Sequence, residues 1–294
     1  MSGLSINRST VLGAVAASVA GAMYATAFEP YNIELRRISI SLPRLPSAFD
    51  GFTILQLSDF HTRKIGRREK NVVRLTSALP EIDLILLTGD MVHTNLGEGP
   101  FLESVRHLRS TEGKFAVFGN SEHKNGVDPA ALTASLRMAG IEPLHNQHVI
   151  IKRGGATVAL AGVDDPVNEL DRTKQSVAGI PHSVCKLLMM HSPDSVADAV
   201  AEEIDLVFSG HTHGGQIRLP LFGAPFTHSH FGRRMSSGYY AGKKLRNVIG
   251  IRPGVTQLYV SRGIGVSGMA LRFMCRPEIT FVTLRRGIPS FRVD

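Results

Sequence analysis

Five short polar clusters, each following an apolar run, carry the residues whose types and spacing suit chemistry. They are Asp59-Phe60-His61, Gly89-Asp90, Gly119-Asn120, His191 and Gly210-His211-Thr212-His213. Together they supply two Asp, one Asn and four His, enough to hold two divalent metal ions close together. A paired-metal site of this kind activates water and attacks phosphate esters. Singly, each cluster has a plainer reading: a capping Asp, a Gly-Asp turn, a core histidine. His211-x-His213 among glycines is poor packing material, and the ordered set of five argues for metals. Asp90 is the candidate for the anionic bridge that two cations need, because it closes the apolar run 84–88 where Gly89 lets the backbone turn. Asp59 and His61 are two apart, which places them on one side of an extended segment. Asn120 offers a neutral oxygen, limiting negative charge around an incoming phosphate.

These clusters must be positioned by the elements before them. Apolar strands read at 52–57, 84–88, 114–118, 157–162, 186–190, 206–209, 257–260 and 279–284, with helical patterns at 67–79, 102–108, 130–139 and 195–203. Ser192-Pro193-Asp194-Ser195 is a capping sequence for the last helix. Residues 33–42 alternate as an edge strand does, and 43–51 form a Pro-containing connection. Such alternation predicts an α/β fold with buried strands. Residues 219–255, rich in Gly, Arg and aromatics, read as a long insertion near the site that selects substrate.

At 294 residues a sizeable core is possible, and 43% hydrophobic with 20% charged residues is ordinary for a globular protein. A net charge of +8 suggests an anionic partner. The Lys and Arg residues are scattered, and no zinc-finger, helix-turn-helix or aromatic RNA-binding pattern occurs, so nucleic acid is not an expected partner. Cys185 and Cys275 read as small buried hydrophobes.

Residues 9–28 carry no charge and are mostly Ala, Val, Gly and Leu, after Arg8. Ala25-Thr26-Ala27 matches a small-x-small cleavage site, and the run is also about long enough to span a bilayer. Residues 1–30 are therefore expected to be a signal peptide or a membrane anchor, and 31–294 the functional domain. An uncleaved anchor followed by Arg36, Arg37 and Arg44 favours a cytoplasmic domain; a cleaved signal means export. Both stay open.

The series D-x-H, G-D, G-N, H, G-H-x-H resembles the signature of the calcineurin-like metallophosphoesterases, over about 54–284. Gly210-His211-Thr212-His213-Gly214-Gly215-Gln216, Ser261-Arg262-Gly263-Ile264-Gly265 and Arg272-Phe273-Met274-Cys275-Arg276-Pro277-Glu278-Ile279 resemble the membrane-associated bacterial branch of YkuE-like and YaeI-like phosphodiesterases. The resemblance implies a four-layer α/β/β/α sandwich: two mixed sheets face to face, with helices outside. It implies one metal on Asp59, His61, Asp90 and His213, and a second on Asp90, Asn120, His191 and His211, as Mn²⁺, Zn²⁺ or iron. A hydroxide bridging the two would attack phosphorus in line. The implied function is a phosphodiesterase or pyrophosphatase acting on a phosphorylated small molecule or lipid at a membrane. Some membrane-associated relatives cleave UDP-2,3-diacylglucosamine in lipid A biosynthesis, which makes that compound a candidate substrate.

Departures from the family pattern matter. Its third cluster is Gly-Asn-His and an acid, the His acting as general acid; here it is Gly119-Asn120-Ser121-Glu122-His123. Ser121 stands where the acid should be, His123 lies two residues on and is the candidate replacement, and Glu122 keeps the acidic position. Loss of general-acid help alone is worth roughly 10²–10⁴ in rate and need not abolish turnover. The alternative is a membrane-tethered metal- or phosphate-binding protein with little catalysis. His93, three after Asp90, either touches the first metal, orients a ligand or faces solvent. Arg262 is either a phosphate clamp or one half of a structural ion pair. His228 and His230 lie in the insertion, with possible substrate contact as their one suggested role.

Overall fold

The computed structural model describes residues 8–294; the first seven residues of the expected leader lie outside the described residues. Thirteen strands occur among them: β1 (Glu34–Leu42), β2 (Thr53–Leu57), β3 (Leu84–Thr88), β4 (Lys114–Val117), β5 (Glu142–Pro143), β6 (Gln147–Arg153) and β7 (Ala156–Gly162). The rest are β8 (Cys185–Met189), β9 (Leu206–Ser209), β10 (Gly238–Tyr240), β11 (Gln257–Val260), β12 (Glu278–Arg286) and β13 (Ser290–Val293). The helices are α1 (Arg8–Met23), α2 (Arg67–Thr76), α3 (Glu98–Val105), α4 (Pro129–Met138), α5 (Thr173–Ser176), α6 (Val196–Ala201) and α7 (Gly242–Ile249).

Side-chain parity along the strands dictates the layering. On β2 and β3, Ile54, Leu84 and Leu86 enter one buried cluster, while Leu55, Leu57, Ile85 and Leu87 enter another. On β8 and β9, Leu187, Met189, Leu206 and Phe208 join the first cluster, and Leu188 and Val207 a third. Strands that are apolar on both faces need cover on both. The shared cluster lies between two sheets, ordered β13-β1-β12-β2-β3-β4-β5 and β10-β11-β9-β8-β7-β6. Residues of α2, α3 and α4 pack on the outer face of the first sheet, and residues of α6 and α7 on that of the second. Both sheets are mixed: β12 runs antiparallel to β2, and β6 and β10 run antiparallel to their neighbours. The result is the α/β/β/α sandwich.

Helix starts follow local chemistry. Asp128 caps α4, accepting from the N–H groups of Ala130 and Ala131 before Pro129 fixes the first turn. Ser192 caps a short 3₁₀ turn at Pro193–Ser195 that runs into α6.

Two expectations change. β1 is not an edge strand, because the C-terminal strand β13 pairs with its outer side, Ile38 opposite Val293. The alternating pattern records a sheet face, and only the long-range partner decides whether an edge is free. The stretch 219–255 is not wholly an insertion, since β10 extends the second sheet and α7 buries Leu245 against it. Both elements are short, and their apolar content is too small to register as a period.

Parallel strands β2, β3, β4, β7, β8, β9 and β11 carry the architecture of the site. Being parallel within each sheet, they end at one edge of it, and every polar cluster follows one of those ends.

Candidate metal centre

Asp59 follows β2, Asp90 follows β3, Asn120 follows β4, His191 follows β8, and His211 and His213 follow β9. Across the two sheets they close into two buried groups: Asp59, His61 and His213, and Asp90, His191 and His211, with ligand atoms in each within 4.8 Å of one another. All six are at most 7% exposed. Asp90 joins the groups, with Oδ2 3.3 Å from His61 Nε2 and Oδ1 3.4 Å from His191 Nε2. His61 Nε2 lies 3.1 Å from His213 Nε2, His213 Nε2 lies 3.4 Å from Asp59 Oδ1, and His211 Nδ1 lies 3.3 Å from His191 Nε2.

The donor set fits divalent cations. Donors about 2.1 Å from a common ion sit roughly 3.0–3.4 Å apart, the separations found here. Facing imidazole nitrogens repel unless a proton or a cation lies between them. The buried Asn120 Oδ1 has no hydrogen-bond partner, although buried polar atoms seldom go without one. An ion bound beside it would complete it.

The backbone supports this at a cost in strain. Five of the seven candidate ligands have left-handed backbones: Asp59 (φ 54°), His61 (46°), Asp90 (51°), His211 (67°) and His213 (50°). Such residues persist where surrounding structure holds them, and they concentrate at functional sites. Asp59 and His61 therefore do not share one side of an extended segment; two tight turns bring their side chains together. Glycines lie directly behind the ligands. A Cβ on Gly119 would sit 2.4 Å from Asp90 Oδ1, and one on Gly263 2.6 Å from Asp59 Cβ.

Neighbouring groups hold the ligands. Asp59 accepts from the His211 N–H at 3.0 Å, tying one sheet's loop to the other's. His191 Nδ1 is 2.8 Å from the Thr88 carbonyl, an acceptor only, so Nδ1 carries the proton and Nε2 faces Asp90. Ser121 Oγ lies 3.2 Å from His61 Nδ1, and its N–H donates to Asp90 Oδ1 at 2.8 Å. Ser121 thus touches two ligands. Glu122 faces backbone: it accepts from the N–H groups of Asp90, Met91, Val92 and Gly119, stapling two ligand loops together.

The buried charges at the centre perturb one another. Burial works against the His191 cation, yet Asp90 and Asp59 overcome it and push the imidazole up to about 10. Burial also raises Asp90, but His191 and His61 outweigh it and hold the carboxyl well below its usual range. Burial and then the charge of Asp90 push Glu122 up to about 7, against its N–H donors. Burial and then neighbouring His191 bring His211 down to about 3, and burial brings His61 down to about 4, so both rings present free lone pairs.

The remaining candidates sit around this centre. His123 Nε2 is 2.8 Å from Asp164 Oδ1, its ring edge against Phe118, and His145 lies 3.7 Å from the other oxygen of Asp164. Its pKa is raised by the hydrogen bond to Asp164, with burial opposing. His93 Nε2 contacts Arg63 at 2.6 Å, and its ring lies 6.3 Å from that of His61. Arg262 is engaged by Glu278 at 2.6 Å and Glu34 at 2.9 Å, contacts that favour the ion pair over the phosphate clamp. His228 stands 5.7 Å, ring to ring, from His211, while His230 pairs with Asp194.

Three participants had no sequence signal assigned to them. Asp164 follows β7 just as the ligands follow their strands, which was the available clue. Thr88 acts through its carbonyl, which no side-chain pattern reveals. Arg272 is fully buried and donates to the carbonyls of Gly265, Arg262 and Gly263, binding the last loop behind His213.

The model of the calcineurin-like phosphoesterases matches residues 52–215. YaeI of Escherichia coli (strain K12), a phosphodiesterase, is 33% identical over 287 residues, 95% of this chain and 99% of YaeI. YkuE of Bacillus subtilis (strain 168), an uncharacterized metallophosphoesterase, is 30% identical over 284 residues, 94% of this chain and 95% of YkuE. A transmembrane protein with a metallophosphoesterase domain from Danio rerio is 26% identical over 95% of this chain and 63% of its own length. Sequence likeness across nearly the whole length, joined to two metal-binding groups at the strand ends, places this chain in the calcineurin-like phosphoesterase family, among the phosphoester hydrolases of the YkuE and YaeI branch.

Proposed function

We propose that this protein is a membrane-held phosphodiesterase or pyrophosphatase with one ion on Asp59, His61, Asp90 and His213 and another on Asp90, Asn120, His191 and His211. The observation that carries this reading is the convergence of two buried ligand groups on opposite oxygens of one carboxylate, Asp90. Divalent ions bound there, Mn²⁺, Zn²⁺ or iron, would supply an activated water and offset charge on the phosphoryl oxygens.

The chain's own residues supply the remainder. Ser121 and Thr88 orient His61 and His191, and Glu122 keeps the Asp90 loop against the Asn120 loop. His123 is the proton donor to the leaving group. Asp164 holds its Nε2 and raises its pKa, so the imidazolium persists closer to neutrality with Nδ1 left to donate. No side-chain nucleophile is assigned, and no covalent intermediate is expected.

The substrate in this reading is an anionic lipid or lipid-linked diphosphate, UDP-2,3-diacylglucosamine among the candidates. The apolar α1 and the net charge of +8 support it. Residues 1–30 act as an anchor for the domain at 31–294. None of the α1 residues is buried, yet the segment after it is built into the domain: Ala25 accepts from Arg272 N–H, and Glu29 accepts from Met274 and Cys275 N–H. The mass of the mature chain separates anchor from cleaved signal.

The test is Mn²⁺-dependent hydrolysis of bis(p-nitrophenyl) phosphate by the full chain, with EDTA and Asp90→Ala as controls. Turnover that disappears in both controls is the expected result. Two bound metals without turnover of that diester or of lipid-linked diphosphates favour the receptor alternative, which the replacement of the family's His by Ser121 motivates. A chain that binds no metal overturns the assignment.

A further inference from the structure

Two loops beside the metal centre hold apolar side chains out in solvent. Leu221 (105% exposed) and Phe222 (68%) tip a hairpin closed by the Leu219–Gly223 bridge, and Phe226 (83%) follows it. Met269, 59% exposed, lies across a groove of about 290 Å³ from Phe226. The same groove is lined by Thr212 and His228, whose ring stands 5.7 Å from that of His211, so it reaches the metal centre. Large apolar side chains left at loop tips mark a surface that something covers.

What covers them is indicated by where α1 is attached. Its foot sits on residues 272–273, and Phe273 bridges to Ile217 in the segment that leads into the hairpin. Tyr24 packs edge-on against Phe273. Phe273 donates its N–H to Gln216, and Arg218 donates to Phe273, two residues before the hairpin turns. Arg272 N–H, next to Phe273, donates to Ala25. A second cavity, about 510 Å³, shares Gly268 with that groove, reaches the candidate ligand His61 and is lined by Arg63, Lys64 and Arg67. Arg67 lies over the Tyr31 ring and donates to the Ala27 carbonyl, again at the foot of α1. Apolar tips, a cationic rim and an apolar helix therefore share one side of the molecule, next to the metal centre. Apolar insertion backed by cations is how interfacial segments hold to anionic lipid.

We propose that the 219–226 hairpin and the Met269 loop dip into the bilayer that holds α1, so that the metal centre opens against the membrane surface. Arg63, Lys64 and Arg67 then face anionic headgroups. The proposal rests on α1 lying in the bilayer and not on the hydrolytic reading, which is tested separately.

The chain contains no tryptophan, so a single introduced one reports alone. Full-length Val15→Trp, Phe222→Trp and Met138→Trp proteins would be reconstituted in phosphatidylglycerol–phosphatidylcholine vesicles with brominated acyl chains. All three positions are exposed, so the changes leave the core intact. Met138 ends α4, at the strand N-terminal side away from the metal centre. Emission from Val15→Trp and Phe222→Trp is expected to fall on bromination, and that from Met138→Trp to hold. Quenching of Val15→Trp without Phe222→Trp would leave the anchor standing and overturn the docking surface. A blue-shifted but unquenched Phe222→Trp means that a protein, such as a second copy, covers the hairpin, which also overturns it. If none is quenched, α1 is not in the bilayer and anchor and docking surface fall together.

Discussion

The metal centre and the His123 corner beside it are built by opposite means. At the centre, ligands come from the ends of five strands, six of them at most 7% exposed. Left-handed turns, close glycines and backbone hydrogen bonds lock them. At the corner, His123 is held chiefly by one side chain, Asp164, with about a sixth of each side chain exposed. Side chains added at Gly119 or Gly263 would run into Asp90 or Asp59. The corner is held by fewer contacts, and it begins two residues past Ser121, whose own N–H and Oγ contact Asp90 and His61 at the centre. Precision is concentrated where charge must be held, and the proposed proton donor is attached more loosely.

Breaking the staple of the centre should have the largest effect. Glu122→Ala leaves four buried N–H groups without an acceptor, a loss of about 3–5 kcal/mol in stability. Urea denaturation and metal stoichiometry read it. A change below 1 kcal/mol would mean that the two loops hold together without Glu122.

At the corner, His123→Ala should leave folding and metal content intact and lower kcat by about 10²–10⁴. An unchanged kcat would remove His123 as the proton donor. Ser121→Ala removes the group beside His61 Nδ1. Supporting partners of this kind are worth roughly 10–100-fold in metal affinity or activity, seen by titration with Mn²⁺. Ser121→His should give no gain in turnover, because the site at 121 is buried and its hydroxyl serves His61.

The smallest effect tests the pair itself. Asp164→Asn removes the charge that raises the His123 pKa and leaves at most a neutral amide acceptor, so the alkaline limb of the kcat profile should move to lower pH. The stability effect has a defined window. His123, raised above its unfolded value of about 6.5, contributes fully below that pH and loses the contribution as pH rises through the raised value. Asp164, held below its usual range by His123 and His145 against burial, contributes above about pH 3.9 and loses it as pH falls. Melting temperatures of the parent and of Asp164→Asn should therefore differ most between these limits and converge at high pH.

Much of this was legible before folding was considered. Runs such as 84–88 and 206–209 are legible to the residue, because strands apolar on both faces can only be central. The seven candidate ligands stood out because Asp, Asn and His recur just after such runs. The free edge assigned to β1 was not legible, since pairing with β13 depends on residues about 250 positions away. Nor were β10 and α7, too short to carry a period.

The sequence by itself determined the alternation of buried strands and helices, the order of the clusters and the kinds of donor atom, because burial and metal chemistry are written in residue type; the layering entered only through the family resemblance. Only the tertiary structure decided that Arg262 is engaged by Glu34 and Glu278, that Glu122 serves backbone, and that Asp164 holds His123. Each of those choices depends on which partner arrives from a distant strand, and hydrogen bonds and ion pairs are selected by distance in space.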